Sequence, residues 1–354
     1  MKCSLDLSGK RILVTGAAGF IGANLVIRLL RECDGAIIVG LDEMNGYYDV
    51  RLKEYRLAQI TSEAKKSRSE WRFVRASIAD RDAVERLFAE CGFELVVNLA
   101  AQAGVRYSIA HPDAYIESNI VGFYNILEAC RHDDMLEHLV YASSSSVYGG
   151  NEKVPFSTED RVDSPVSLYA ATKKSDELLA HAYSKLYGLP STGLRFFTVY
   201  GPAGRPDMAY FAFTDKLVRG ETIKIFNYGN CERDFTYIDD IVEGIVRVMR
   251  GAPEPSVRSD GAPLPPYSIY NIGGGQPKDL MEFVTTLAEE LVRAGVLSEG
   301  FHVEERLELV PMQPGDVPKT YADTTALARE YGFTPKIGLR EGLRKFAEWY
   351  REYY

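Results

Sequence analysis

The sequence predicts an α/β protein: a doubly wound parallel sheet, with a smaller α/β unit formed by its C-terminal part. Three observations carry this expectation. Short apolar, β-branched runs alternate with helix-length segments as far as residue 197, the pattern of successive βαβ units. The first run opens directly onto Gly16-Ala-Ala-Gly19-Phe-Ile-Gly22 and then a helix. Strand, glycine turn and helix is the arrangement of a dinucleotide-binding loop. Past the loop at 198–209 the periodicity breaks into shorter pieces, which marks a second unit.

Composition narrows the function. The 354 residues allow two domains or one large one, and an apolar share of 46% is ample for a core. A net charge of -9 argues against a nucleic-acid surface but leaves room for a local basic pocket. Five scattered cysteines without a Cys-x-x-Cys pair read as reduced thiols, and so as a cytoplasmic protein. Five histidines show no metal-ligand spacing, so no metal is expected. No apolar run nears the roughly 18 residues of a membrane span, and residues 1–8 lack the apolar core of a signal peptide. No membrane association is expected.

The elements follow in order. Residues 11–15 (Arg-Ile-Leu-Val-Thr) form a buried strand. Gly16 allows the tight turn, Gly19 admits a pyrophosphate at the helix N-terminus, and Gly22 lets helix and strand pack closely. Residues 23–31 are a helix with apolar positions at Leu25, Val26, Leu29 and Leu30. The strand at 36–41 ends in Asp42, about 20 residues past Gly22, where an acid binds the ribose 2′-hydroxyl of NAD. A carboxylate there repels the 2′-phosphate of NADP, so NAD is the expected cofactor. The polar stretch 45–59, with Asn45, Tyr47, Tyr48 and Lys53, reads as a border of the adenosine. A strand at 71–75 leads through Ser77 to a helix at 81–90. The strand at 94–99 ends in Leu99, Ala100, Ala101 and Gln102, small residues that suit close passage of a cofactor. A long helix spans 113–131 and contains Asn119.

The strand at 138–142 runs into Ser143, Ser144, Ser145 and Ser146. Hydroxyls at the carboxyl end of a parallel strand stand where such sheets keep their ligands. The helix at 168–186 carries Tyr169 and Lys173 on one face. A free phenol, with a pKa of about 10, is a poor base near neutral pH. An ammonium one turn away favours the phenolate and makes it a general base. A strand at 191–197 precedes the loop at 198–209. Then come a helix at 210–219, a strand at 223–226, a helix at 238–250, an exposed connection at 251–266 and helices near 280–294, 324–331 and 339–350. The expected boundaries are 1–190 for the cofactor domain, with 227–250 returning to it, and 191–226 with 251–354 for the second domain.

Together the glycine loop, Asp42, Ser144, Tyr169 and Lys173 resemble the extended short-chain dehydrogenase/reductase family, whose cofactor domain is a Rossmann fold. Within it the chain is most similar to nucleotide-sugar epimerases acting at C4 of UDP-glucuronate. Five stretches add to the likeness: Ala142-Ser-Ser-Ser-Ser-Val-Tyr-Gly149, Arg195-Phe-Phe-Thr-Val-Tyr-Gly-Pro202, Gly204-Arg-Pro-Asp-Met-Ala209, Arg233-Asp-Phe-Thr-Tyr-Ile-Asp-Asp240 and Met312-Gln-Pro-Gly-Asp-Val317. The resemblance implies that Tyr169 is the acid/base, Lys173 its partner and Ser144 the hydroxyl beside them. It adds Ala18, Phe20, Ile21 and Ile78 to the cofactor contacts, and also Asn119, Ala142, Ser143, Phe196 and Val199. Arg233, Gln313 and Asp316 would meet the diphosphate and ribose, and Ile225 would border the uracil. Arg106, Ala209 and Lys216 would also contact substrate. Galactose-type epimerases usually carry arginine at the position of Gln313. Ser77 stands where relatives commonly have an aspartate on the adenine amine; a serine retains a hydrogen bond.

The implied reaction inverts C4 of a UDP-sugar through a transient 4-keto intermediate with tightly bound NAD. A 4-keto uronate is a β-keto acid and loses CO2 readily. Arg205, with Thr198 and Ser145, would grip the carboxylate and hold its bond away from the angle that decarboxylation requires. Three alternatives stay open. In the related decarboxylase an acid precedes the Val-Tyr-Gly, where Ser145 and Ser146 stand here. An epimerase of a neutral UDP-hexose or UDP-N-acetylhexosamine is weighed against by Arg205. A non-catalytic NAD sensor would need none of Ser144, Tyr169 and Lys173. The helices at 113–131 and 168–186 are rich in apolar residues, and relatives pair them, so a homodimer is expected.

Overall fold

The computed structural model describes residues 5–258, 260–312 and 319–354. Seven parallel strands form its central sheet: β1 Arg11–Thr15, β2 Ile37–Asp42, β3 Glu70–Arg75, β4 Leu95–Asn98, β5 His138–Ser144, β6 Ser191–Phe196 and β7 Tyr267–Ile272. The spatial order is β7-β6-β5-β4-β1-β2-β3, and each neighbouring pair is parallel. The order reverses between β1 and β4. There the two connections leave on opposite faces and open a crevice at the carboxyl ends.

Alternation along β1 shows why both faces are covered. Ile12 and Val14 join a core with Leu25, Val26 and Leu29 of α1 (Phe20–Glu32). Leu13 faces a second core with Val84 and Leu87 of the helix Arg81–Cys91 and Ile126 and Leu127 of the helix Gly122–Arg131. Side chains alternate with a period of two, so one apolar strand feeds both layers. The helix Ile238–Met249 packs on the α1 side.

Two strands depart from the expected boundaries. Ser191–Phe196 and Tyr267–Ile272 fall within the range expected for the second domain but complete the sheet. All of Ser191–Phe196 is buried. The chain thus crosses between sheet and second unit several times, and long-range strand pairing, not local composition, decides the boundary.

A helix at Val50–Ala64 replaces the polar stretch expected at 45–59. Asp49 caps it, accepting from the Arg51 N–H at 3.0 Å. Its buried stripe, Leu52, Lys53, Arg56 and Ile60, is half charged, which hides the helical period. Arg56 is 2% exposed. It donates to the carbonyls of Ala18, Ala203 and Gly204 at 3.0, 2.8 and 2.8 Å and to the Tyr48 hydroxyl at 2.6 Å. It thereby ties the glycine loop to the loop following Pro202.

The second unit is built from short pairs. Ile223–Ile225 runs parallel to Leu307–Leu309, and Glu232–Arg233 antiparallel to Lys278–Asp279. Helices Ala209–Val218, Leu280–Arg293 and Leu339–Tyr353 pack around Phe211, Leu287 and Phe346. Among the described residues no helix is long and apolar enough to cross a membrane.

Candidate active site

A cleft of roughly 1150 Å³ lies at the carboxyl ends of β1, β4, β5 and β6, between sheet and second unit. Its floor is the glycine loop. Gly16 has φ +68°, and a Cβ on Gly22 would stand 2.2 Å from the Gly16 carbonyl oxygen. Both positions therefore demand glycine. Gly19, Phe20, Ile21 and Gly22 line the cleft; Ala18 lies behind it, fully buried. The Ala18 N–H instead donates to Asp42 Oδ2 at 3.1 Å, and the Met44 N–H to Oδ1 at 2.9 Å. Two bonds leave the Asp42 carboxylate with lone pairs to offer a vicinal diol. The close-approach loop and this acid together fit a dinucleotide.

Asn45, Ser77, Ile78, Leu99, Ala100, Ala101 and Gln102 line the same end. Lys53 Nζ sits 3.8 Å from Asp42 Oδ1 and donates to Asn45 Oδ1 at 2.9 Å. Asn119 does not reach the cleft. It lies in a π-helical stretch, Ile116–Val121, and its amide braces Gln102 from behind. It accepts from the Gln102 N–H at 2.8 Å and donates to the Gln102 carbonyl at 3.1 Å and the Thr172 hydroxyl at 3.0 Å.

The helix Leu168–Tyr187 starts where Ser167 caps it, accepting from the Ala170 N–H at 3.1 Å. That start sets Tyr169 and Lys173 one turn apart at the cleft wall. The Tyr169 ring rests edge-on against Tyr115, with centroids 6.0 Å apart. Lys173 is buried and donates to the Ala142 carbonyl at 3.0 Å and to Asp176 Oδ2 at 3.1 Å. Ser144 ends β5 and caps the 3-10 turn Ser145–Tyr148, accepting from the Ser146 N–H at 3.2 Å. Ser143 also lines the cleft, but its hydroxyl is committed to Glu177 Oε1 at 2.6 Å. Phe196 and Val199 close this wall with Ala142.

Toward the second unit the lining comprises Arg106, Ser145, Ser146, Thr198, Arg205, Ala209, Lys216 and Arg233. Arg106 lies over the Phe226 ring at 5.1 Å. Ile225 does not line the cleft. It is fully buried in the core, while its neighbours Lys224 and Phe226 line the wall. The strand's alternation turns Ile223 and Ile225 inward together. Gln313 and Asp316 lie outside the described residues.

Asp207, which no sequence motif singles out, holds Arg205 with two bonds. Nε donates to Oδ1 at 3.0 Å and Nη2 to Oδ2 at 2.6 Å. Burial pulls the Arg205 guanidinium down, but Asp207 outweighs it and keeps the group above its usual range. Tyr47 donates to the same carboxylate at 3.1 Å. Burial, with Asp207 adding to it, pushes that phenol up to about 12. The spacing Arg-x-Asp in a proline-rich loop was the available signal. Among the described residues no cluster of three or more His, Cys, Asp or Glu is placed to hold a metal ion.

Residues 12–273 match the family described as NAD dependent epimerase/dehydratase. Protein CapI of Staphylococcus aureus is 49% identical over 350 residues, spanning 97% of this chain and 99% of its own. A probable UDP-glucuronate 4-epimerase of Rhizobium meliloti (strain 1021) is 45% identical over 352 residues, spanning 97% and 98%. The crystal structure of UDP-glucuronic acid 4-epimerase from Bacillus cereus, in complex with UDP-glucuronic acid and NAD, superposes with a TM-score of 0.81. That protein is 31% identical, and the match spans 97% of this chain and 100% of its own.

Proposed function

Because the chain belongs to the NAD dependent epimerase/dehydratase family, we propose that it interconverts UDP-glucuronate and UDP-galacturonate. It inverts C4 through a transient 4-keto sugar, with NAD tightly bound. One observation carries the reading from geometry: a single cleft holds a dinucleotide loop, the Ser144–Tyr169–Lys173 group and an arginine suited to a carboxylate.

Gly16, Gly19, Gly22 and Asp42 would hold the cofactor, and Asn119 keeps the Gln102 wall in place behind it. When bound there, NAD would supply the hydride acceptor that C4 needs and the hydride that is returned to its opposite face. The rest is the work of side chains. Tyr169 Oη receives the proton of the C4 hydroxyl and later gives it back. The Lys173 ammonium favours the phenolate form that this requires. The Ser144 hydroxyl donates to the C4 oxygen as its charge shifts. Of the five N–H donors of Arg205, two face Asp207, which leaves three. These grip the uronate carboxylate together with Thr198 and Ser145, and fix the C5–C6 bond against loss of CO2. Ser145 and Ser146 put no acid beside the sugar, as a decarboxylase would.

The protein is a homodimer in this reading. Val121, Tyr124, Leu178, Leu186 and Tyr187 are 39–71% exposed along the paired helices Gly122–Arg131 and Leu168–Tyr187 and the π-helical stretch before them. A second copy would cover this apolar surface. Cys33, Cys91, Cys130 and Cys231 are free thiols, which supports a reducing cytoplasm.

The test is product analysis after incubating purified protein with UDP-glucuronate and no added NAD. UDP-galacturonate without CO2 is expected. UDP-xylose, or turnover of neutral UDP-sugars alone, would contradict the assignment.

A further inference from the structure

Two acids follow Lys173 on the same helix, and they are served very differently. Glu177 is 2% exposed and saturated. Arg195 donates to its two oxygens at 2.8 and 2.9 Å, and Ser143 to Oε1 at 2.6 Å. Asp176 is equally buried, at 2%. Its Oδ2 takes one bond, from Lys173 Nζ at 3.1 Å. Among the described residues no hydrogen-bond donor reaches Oδ1. Buried carboxylates with no other role are normally satisfied, as Glu177 is. Asp176 leaves half its capacity unused and spends the other half on the lysine of the candidate acid/base group.

We propose that Asp176 is a positioning residue for proton transfer: it fixes the direction of the Lys173 ammonium and offsets part of its charge, so it sets the field in which Tyr169 exchanges its proton. This rests on the reading of Tyr169 and Lys173 given above. The geometry supplies the lever. Lys173 Nζ is held between the Ala142 carbonyl and Asp176, at 3.0 and 3.1 Å, and the Lys173 side chain also lines the cleft. The charge that acts on Tyr169 is therefore that of the Lys173–Asp176 pair.

Among the described residues the groups around Asp176 leave Lys173 as its cationic partner. Glu177, on the same helix, adds like charge but is neutralised by Arg195 of β6. Tyr141 of β5 faces Asp176, and its phenol is bonded to Tyr267 of β7 at 3.0 Å. On the helix Gly122–Arg131, Glu128 and Arg131 pair with each other, and Glu128 also takes Tyr183. Burial pushes the Asp176 carboxyl up to about 7, against the pull of Lys173. Its charge thus changes in the range where the enzyme would work. When Asp176 takes a proton, Lys173 acts uncompensated and Tyr169 resists protonation more strongly. The two protonations oppose each other and titrate as a coupled pair.

The test is the acid limb of log kcat against pH for UDP-glucuronate. In the unaltered protein it should be shallower than one proton per pH unit. Asp176→Asn, which keeps the shape and removes the charge, should move the limb to lower pH by about 0.5–1 unit and restore unit slope. Bound NAD and KM should stay as they are, and Asp176→Glu should keep the original limb. A wild-type limb of unit slope would overturn the proposal without any variant. So would an Asp176→Asn limb that stays in place or moves to higher pH. If Tyr169→Phe kept full activity, the acid/base reading itself would fall and this inference with it. An inactive Tyr169→Phe beside an unmoved Asp176→Asn limb would overturn the role of Asp176 alone.

Discussion

Arg205 meets Asp207 with two nitrogens, at 3.0 and 2.6 Å, and the Tyr47 hydroxyl closes on the same carboxylate at 3.1 Å. The loop after β2 is thereby bridged to the loop that faces the second unit. The arginine is aligned by its neighbour before it meets any ligand group, and its outer edge remains for a second anion.

Arg205→Ala should raise KM for UDP-glucuronate by about 10-fold or more, since charge-assisted bonds are each worth roughly 1.5–3 kcal/mol. KM for UDP-glucose should change far less, and UDP-xylose should appear as a by-product. Steady-state kinetics with product chromatography checks this. Unchanged KM and product ratio would remove Arg205 from the carboxylate site.

Gly22→Ala should cost the protein its cofactor. The added Cβ would stand 2.2 Å from the Gly16 carbonyl oxygen, so the loop must open where a pyrophosphate would lie. The nucleotide released on denaturation measures this. Wild-type protein should release close to one NAD per chain, and the variant far less.

Glu177→Gln should destabilise the fold by about 3–5 kcal/mol, because it leaves the Arg195 charge buried without its counter-ion. Arg195 and Glu177 are 3% and 2% exposed in their side chains, so water cannot stand in. Urea unfolding followed by circular dichroism reads the loss. A change under about 1 kcal/mol, the range of surface pairs, would contradict it.

If the proposed homodimer forms through this face, Leu178→Glu should split it. Leu178 is 58% exposed on the helix Leu168–Tyr187, and a charge at its place would be buried against the second copy. Sedimentation at micromolar concentration should show a monomer. An unaltered sedimentation coefficient would move the interface elsewhere.

What was legible in the sequence was local. The glycine spacing at 16–22, Asp42 at the end of its strand, and Tyr169 one turn before Lys173 all encode geometry within a few residues. What was hidden depends on distant partners. The helix Val50–Ala64 was masked because its buried stripe includes Lys53 and Arg56, whose partners lie in other loops. Ile225 was misplaced because a three-residue strand gives too little alternation to fix its register. Asp207 escaped because its meaning depends on Arg205 and Tyr47 meeting it. Asn119 was expected against the cofactor, whereas its task as a brace behind Gln102 follows only from the π-helical stretch that aims it there.

C4 inversion should proceed with internal return of the C4 hydrogen and proton exchange only at oxygen. Proton NMR of the product formed from UDP-glucuronate in D2O tests it most directly. UDP-galacturonate with protium retained at both C4 and C5 is the expected product. Deuterium at either carbon, or a pentose product, would contradict it.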